Sequence, residues 1–325
     1  MDRYQFYRVC GVNLDLAIEA HALLRGATKR EIPGVKEDKE HHPHATITTI
    51  HIFNLEGARA LGKTPGTYIT IEAPALLRAD PPVQEAVAHL LSQKLTLLLQ
   101  NLKIGPADPV LVVGLGNWQA TPDSLGPKVI SEFTVTRHLF QYAPQTLPPG
   151  SRPVSALSPG VLGTTGIETA EIIRGVVDRT QPKVIIAIDA LAAGDLHRIG
   201  TSIQLTDTGI SPGSGVGKQR IAINRDTMGI PVIAVGIPTV VHAAVIIYET
   251  LARTHQSIQA EFWTGDPNWV KGLIQEILKP FGGNLTVTPK EIDDLIHNLA
   301  WVVGAALNQT LHTTLLKTKA AIPLH

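Results

Sequence analysis

The sequence predicts an α/β protein: a mainly parallel sheet flanked by helices, with an N-terminal antiparallel β-ribbon and C-terminal helices. Three observations carry that prediction. From Pro81 onward, short apolar β-branched runs alternate with stretches of helical periodicity, the signature of strand and helix in turn. Ahead of them, two segments alternate Ile or Tyr with Thr, as half-buried strands do, and after residue 266 the pattern is helical alone.

Taken in order, residues 1–12 lack periodicity and read as a short leader. Residues 14–24 place Leu16, Ala20, Leu23 and Leu24 on one face, with Asp15 and Glu19 near the start, a modest amphipathic helix. Residues 28–44 are polar and charge-rich, a loop by composition. Residues 45–53 and 67–72 are the two strands of the ribbon, which occupies about 45–75. Then come a helix at 83–101, a strand at 109–113, a helix from about Ser124 and a Pro-, Gly- and Ser-rich surface connection at 142–163. A helix around 167–178 and strands at 183–188 and 230–235 follow. Helices at 266–278 and 289–315 form a C-terminal segment of about 266–325 that packs, with Trp301, on the α/β layer. No linker divides the chain, so 13–325 reads as one domain.

The 325 residues, 44% hydrophobic and 17% charged, can bury a sizeable core without disulfide or metal staples. The 28 basic and 28 acidic side chains leave no basic stripe for phosphates, which argues against a dedicated nucleic-acid binder. Cys10 is the single cysteine, so no intramolecular disulfide or multi-cysteine metal cage can form, and nothing at the start resembles a signal sequence. A cytoplasmic protein is expected. Residues 229–248 lack Asp, Glu, Lys and Arg over nearly a bilayer's thickness. Pro231, Gly236, Pro238 and His242 divide that stretch into a short strand, a turn and a second apolar run, so it is core and no membrane span is expected.

Two acids stand where open α/β sheets carry their ligands, beyond the carboxyl ends of strands. The run Val110 to Val113 leads into Gly114, Leu115, Gly116 and Asn117 and then to Asp123, just ahead of a helix. Asp123 lies in a productive place for catalysis, but spacing alone favours an N-cap there. A dinucleotide fingerprint fails because its third glycine would be residue 119, which is Gln119. The run Val184 to Ile188 ends in Asp189, and a carboxylate at the tip of a buried strand is costly unless paired, hydrogen-bonded or solvated in a cleft. Neighbouring strand-end carboxylates could share a proton and a water, one as general base and the other as general acid. Two unrelated helix caps would leave the same trace in the sequence.

Other motifs carry less. Asp207-Thr208-Gly209 matches the aspartic-protease tripeptide by coincidence, since the chain is not an all-β two-lobed one. Gly213, Gly215 and Gly217 suit a groove-lining loop, but a phosphate loop is rejected because Pro212 stands at its leading glycine and Gln219 at its hydroxyl. His41, His42, His44 and His51 are irregularly spaced and read as a solvated loop. The nucleophile-elbow pattern is absent, and Cys10 has no evident base nearby.

Several runs together carry a family resemblance. They are Asn13 to Ala20, Val113 to Asn117, Thr121-Pro122-Asp123-Ser124-Leu125-Gly126-Pro127, Ala187 to Leu191, Ser202 to Gln204, Asp207 to Gly209, Gly217, and Gly236 to Val241. In that order, over nearly the whole chain, they resemble the germination protease family of spore-forming bacteria. The resemblance implies a phosphorylase/hydrolase-like fold and an endopeptidase that starts degradation of small acid-soluble spore proteins in the spore core. It also implies a self-processing zymogen with the leader 1–12 as a removable propeptide, a homotetramer, no cofactor, and Asp123 and Asp189 as the catalytic aspartates. Gly114, Gly116, Asn117, Asp207, Gly213, Gly215 and Gly217 are then groove candidates. A remoter similarity to hydrogenase maturation endopeptidases supplies a metal-dependent alternative, with Asp123 and Asp189 as ligands and His242 or His197 as the third. Residues 194–197 and His242 depart from the family's usual residues. A non-catalytic peptide-binding α/β protein would share the same strand ends and loops.

Overall fold

A computed structural model describes residues 3–12, 14–28, 31–213, 220–258 and 266–313. The first half comprises α1 (Arg3–Cys10), α2 (Ala17–Thr28), β1 (Val35–His42), β2 (Ala45–Ile52), α3 (Leu55–Leu61), β3 (Gly66–Glu72), α4 (Pro81–Asn101), β4 (Val110–Gly114), α5 (Leu125–Glu132), α6 (Arg137–Tyr142) and β5 (Val154–Leu157). There follow α7 (Leu162–Thr165), α8 (Thr169–Thr180), β6 (Val184–Ala193), β7 (Ser202–Thr206), α9 (Arg225–Met228), β8 (Val232–His242), α10 (Ala243–Ile258), α11 (Pro267–Leu278), β9 (Thr286–Val287) and α12 (Ile292–Leu311).

One sheet runs β1-β2-β3-β7-β8-β6-β4-β5, and β9 also pairs with β8. Among the described strands, β5, β4, β6 and β8 are parallel neighbours, whereas β1 to β3, β7 and β9 pair antiparallel. The expected mainly parallel sheet is therefore a mixed one. Residues 194–201 between β6 and β7 are too few for a helical crossover, so β7 returns antiparallel to β8. Strand β3 then pairs with β7, which makes the ribbon a continuation of the main sheet.

Helices cover both faces. The larger core joins α4, α5, α10, α11 and α12 to one face, and Ile173, Val177 and Met228 of α8 and α9 pack on the other. A third cluster, with Leu16, Ile18, Ile50, Tyr68 and Leu191, seats α2 on the ribbon and the end of β6. Helix α12 packs on α4 and α5, as expected of the C-terminal segment, although Trp301 itself is 38% exposed.

Several local expectations are corrected. Residues 28–44 hold the end of α2 and strand β1, whose polar VKEDKEHH sequence fits an edge strand exposed on both faces. His41 and His42 thus lie in β1, His44 in the turn and His51 in β2, rather than in one loop. Leader residues 3–10 form α1, with Phe6 fully buried and stacked on Tyr248 at 4.2 Å. The connection at 142–163 contains β5, and no turn interrupts β8 at Gly236 or Pro238. The register against β6 shifts between Leu191 and Ala192, where Thr239 is left without a partner between Pro238 and Val240. Among the described residues no helix is long and apolar enough to cross a membrane.

Candidate active site

The site forms where β4 stops and β6 continues. The last rung between them is Gly114 with Ile188, after which the Leu115 N–H donates to Ile188 O at 2.8 Å and the chain turns away. Gly116 makes that turn at φ +113°, and a Cβ there would stand 1.9 Å from Asp123 O. Gly114 serves a different purpose: a Cβ would stand 2.2 Å from Gly126 O, so this glycine lets α5 close onto β4 and does not line the cleft.

Asp123 ends a 3-10 turn at Thr121–Asp123. Ser124 occupies the N-cap position of α5, so the N-cap reading of Asp123 is corrected. The Asp123 carboxylate instead accepts the Asn117 N–H at 2.8 Å, closing its own loop. Thr239 of β8 fixes the turn by donating its hydroxyl to Pro122 O at 2.7 Å.

Asp189 is not at the tip of its strand, because β6 runs on to Ala193 in register with β8. The absent neighbour is β4, so Asp189 stands at the first residue where β6 has lost that partner. Neither aspartate caps a helix. Asp189 is 6% exposed and accepts the Ala190 N–H at 2.9 Å. Burial first, then the negative charges of Asp123 and Asp15, hold its carboxyl well above the usual range, against the opposing Ala190 N–H. Burial also raises Asp123, opposed by the Asn117 N–H.

Both carboxyls line one cleft of about 450 Å³, together with Gly116, Asn117, Thr239, Pro212 and Gly213. The cleft also holds Asp15, Glu168 and Arg220, which sequence reasoning had not placed there. Arg220 pairs with Glu168 at 3.3 Å. Asp15 accepts the Ala192 N–H at 2.9 Å, while the Lys63 ammonium takes the Leu14 and Asp15 carbonyls at 2.7 and 2.8 Å. Its only signal in the sequence is its place in the conspicuous run from Leu14 to Ala20. A buried and a half-buried carboxyl lining one cleft, the charge of the second raising the first, can hold one proton between them, the state that acid–base hydrolysis needs.

The remaining expectations are scattered. Asp207 accepts the Thr67 N–H at 2.8 Å, a tie between β7 and β3, and does not line the cleft. Gly215 and Gly217 lie outside the described residues. His242 ends β8 with Nδ1 accepting the Ala244 N–H at 3.1 Å, and neither it nor His197 lines the cleft. Among the described residues no group of three His, Cys, Asp or Glu side chains could hold a metal ion, so the metal-dependent arrangement does not fit them.

Comparison with known proteins bears on this geometry. The model of a family described as germination protease matches residues 15–268 and 265–322. A germination protease of Caldanaerobacter subterraneus is 47% identical over 327 residues, covering 98% of this chain and 99% of that protein. Those of Clostridium acetobutylicum and Bacillus subtilis are 41% and 39% identical, covering 94% and 93% of this chain and 96% and 93% of their own lengths.

Proposed function

The chain belongs to the germination protease family, and from that premise we propose that Asp123 and Asp189 are the groups with which it cuts small acid-soluble spore proteins. It is an endopeptidase of spore germination. The observation that carries the residue assignment is the pair of carboxyls lining one cleft, both raised above their ordinary range, with no cation among the charges of the described residues acting on either. In this reading Asp189, the more deeply buried, holds the proton and Asp123 is ionised. Asp123 takes a proton from water as its oxygen attacks the peptide carbonyl carbon. Asp189 gives its proton to the departing amide nitrogen as the C–N bond breaks, and the proton on Asp123 then restores the pair. Pro212 and Gly213, which line the cleft, offer backbone to the substrate.

The chain is made as a zymogen that shortens itself. Supporting this, the family match begins at residue 15, and Asp15 itself lies in the cleft. The leader of residues 1–12 precedes a single peptidase domain, 13–325, whose parallel core is phosphorylase/hydrolase-like. A homotetramer in the spore core acts on these proteins without binding nucleic acid, in keeping with its balance of 28 acidic and 28 basic residues.

The test mixes purified protein with a small acid-soluble spore protein and follows the fragments. Cleavage by the native chain and none by Asp123→Asn or Asp189→Asn is expected; full cleavage by both variants overturns the assignment. Activity that survives exhaustive chelation is expected as well.

A further inference from the structure

Beyond Ile188, β6 keeps β8 on one edge and has lost β4 on the other. Successive residues of a strand turn their backbone polar groups alternately to its two edges. Ile188 O faces β4, where it accepts the Leu115 N–H, so Ala190, Ala192 and Gly194 face the edge that β4 has left. Among the described residues no strand meets them there. All three N–H groups donate to carboxylates instead: Ala190 to Asp189 at 2.9 Å, Ala192 to Asp15 at 2.9 Å, and Gly194 to both oxygens of Glu19 at 3.0 and 3.1 Å. Gly194 O accepts the Tyr7 hydroxyl. Ala190 and Ala192 line the same cleft as Asp123 and Asp189. A row of edge donors thus begins at the reactive carboxyl, and its last two are held by acids of the N-terminal segment. A carboxylate oxygen on such an N–H stands where the carbonyl of an added strand would stand.

We infer that this edge is the docking strand for the substrate backbone. An extended polypeptide adds to β6 along residues 190–194, and its carbonyls replace Asp15 and Glu19 on the Ala192 and Gly194 N–H groups. This rests on the peptidase reading for the identity of the ligand. It goes beyond that reading in naming the binding mode and the competitor. A substrate must be extended to dock, because a helix has no free carbonyls to offer, and the chain's own Asp15 and Glu19 compete with it. Strand addition leaves a mark that no side-chain pocket leaves: alternate backbone N–H groups of the substrate face the docking strand, and the intervening ones face away.

The experiment uses fluorescein-labelled twelve-residue peptides tiled across a small acid-soluble spore protein. Their affinity is measured for the full chain carrying Asp189→Asn, so that nothing is cut. The tightest peptide is then N-methylated at one backbone nitrogen at a time. Losses of about ten-fold at every second residue, with the residues between changed less than two-fold, are expected. Asp15→Ala in the same chain, which frees the Ala192 N–H, tightens binding of the unmethylated peptide by about ten-fold. A flat N-methyl profile, no binding by any peptide, or affinity unmoved by Asp15→Ala overturns the inference. Cleavage of the same peptides by the native chain is read separately. Alternating affinity without cleavage removes the peptidase reading and keeps the docking strand, and cleavage with a flat profile does the reverse.

Discussion

Glu19 and Asp189 are buried to the same degree, 5% and 6% exposed, against the same stretch of β6, yet their surroundings treat them in opposite ways. Glu19 has a cation, Arg198, at 3.6 Å, and both of its oxygens take the Gly194 N–H. Burial pushes its carboxyl up to about 7, against the pull of Arg198 and that N–H. Among the described residues Asp189 has one N–H, from its neighbour Ala190, and the charges acting on it are both negative. Equal burial with unequal compensation separates a carboxyl that joins elements from one that is kept ready to exchange a proton. The first ties α2 to the end of β6, and the second faces the cleft.

The largest expected effect falls on Asp189. Asp189→Asn should reduce cleavage by about a thousand-fold or more, the scale of lost acid–base catalysis, without lowering the midpoint of thermal unfolding. Rate and melting measurements on one preparation check both halves. Next is Arg198→Leu, which leaves Glu19 buried without its cation and removes the 2.8 Å bond to Glu72; about 3 kcal/mol of stability should be lost in urea unfolding.

The third prediction concerns pH. The native state holds a proton on Glu19 up to about pH 7, whereas the unfolded chain gives it up near the ordinary glutamate value. The native state therefore binds the extra proton in that window, and stability falls as pH rises through it. Urea unfolding across pH should show a loss of about 3 kcal/mol that Glu19→Gln abolishes. The smallest effect is at the turn that carries Asp123. Thr239→Val removes the hydroxyl that holds Pro122 O and should cost about 1 kcal/mol, with kcat falling several-fold and KM little changed.

These contrasts also show what sequence could and could not reveal. Asp123, nine residues beyond its strand, was legible only as an acid past a strand's carboxyl end. Asp189 was legible because it directly follows an uninterrupted apolar run, and a carboxylate after such a run needs a reason. The parallel core was legible for the same cause, in the runs Val110 to Val113 and Val184 to Ile188. Asp15 was not, because only the crossing of the N-terminal segment over β6 brings it to the cleft, and that is a contact across 177 positions of sequence. Strand β1 was hidden by its polar composition, since an edge strand exposed on both faces needs no apolar alternation. Helix α1 was hidden because it is anchored by single residues, Phe6 on Tyr248 and Arg3 on Asp195 and Glu249, rather than by a periodic stripe. The length of β6 was underestimated for a related reason: Asp189 looked like an end, although β8 pairs with the strand for four residues more.

The claim that Asp189 holds its proton under the influence of its negative neighbours is tested most directly by the pH dependence of kcat/KM. The native enzyme should lose activity on an alkaline limb that lies above the ordinary carboxylate range. Asp15→Asn, by removing one of the two charges that raise Asp189, should move that limb to lower pH. An alkaline limb that stays in place in Asp15→Asn, or activity that persists undiminished into alkaline solution, would contradict the account.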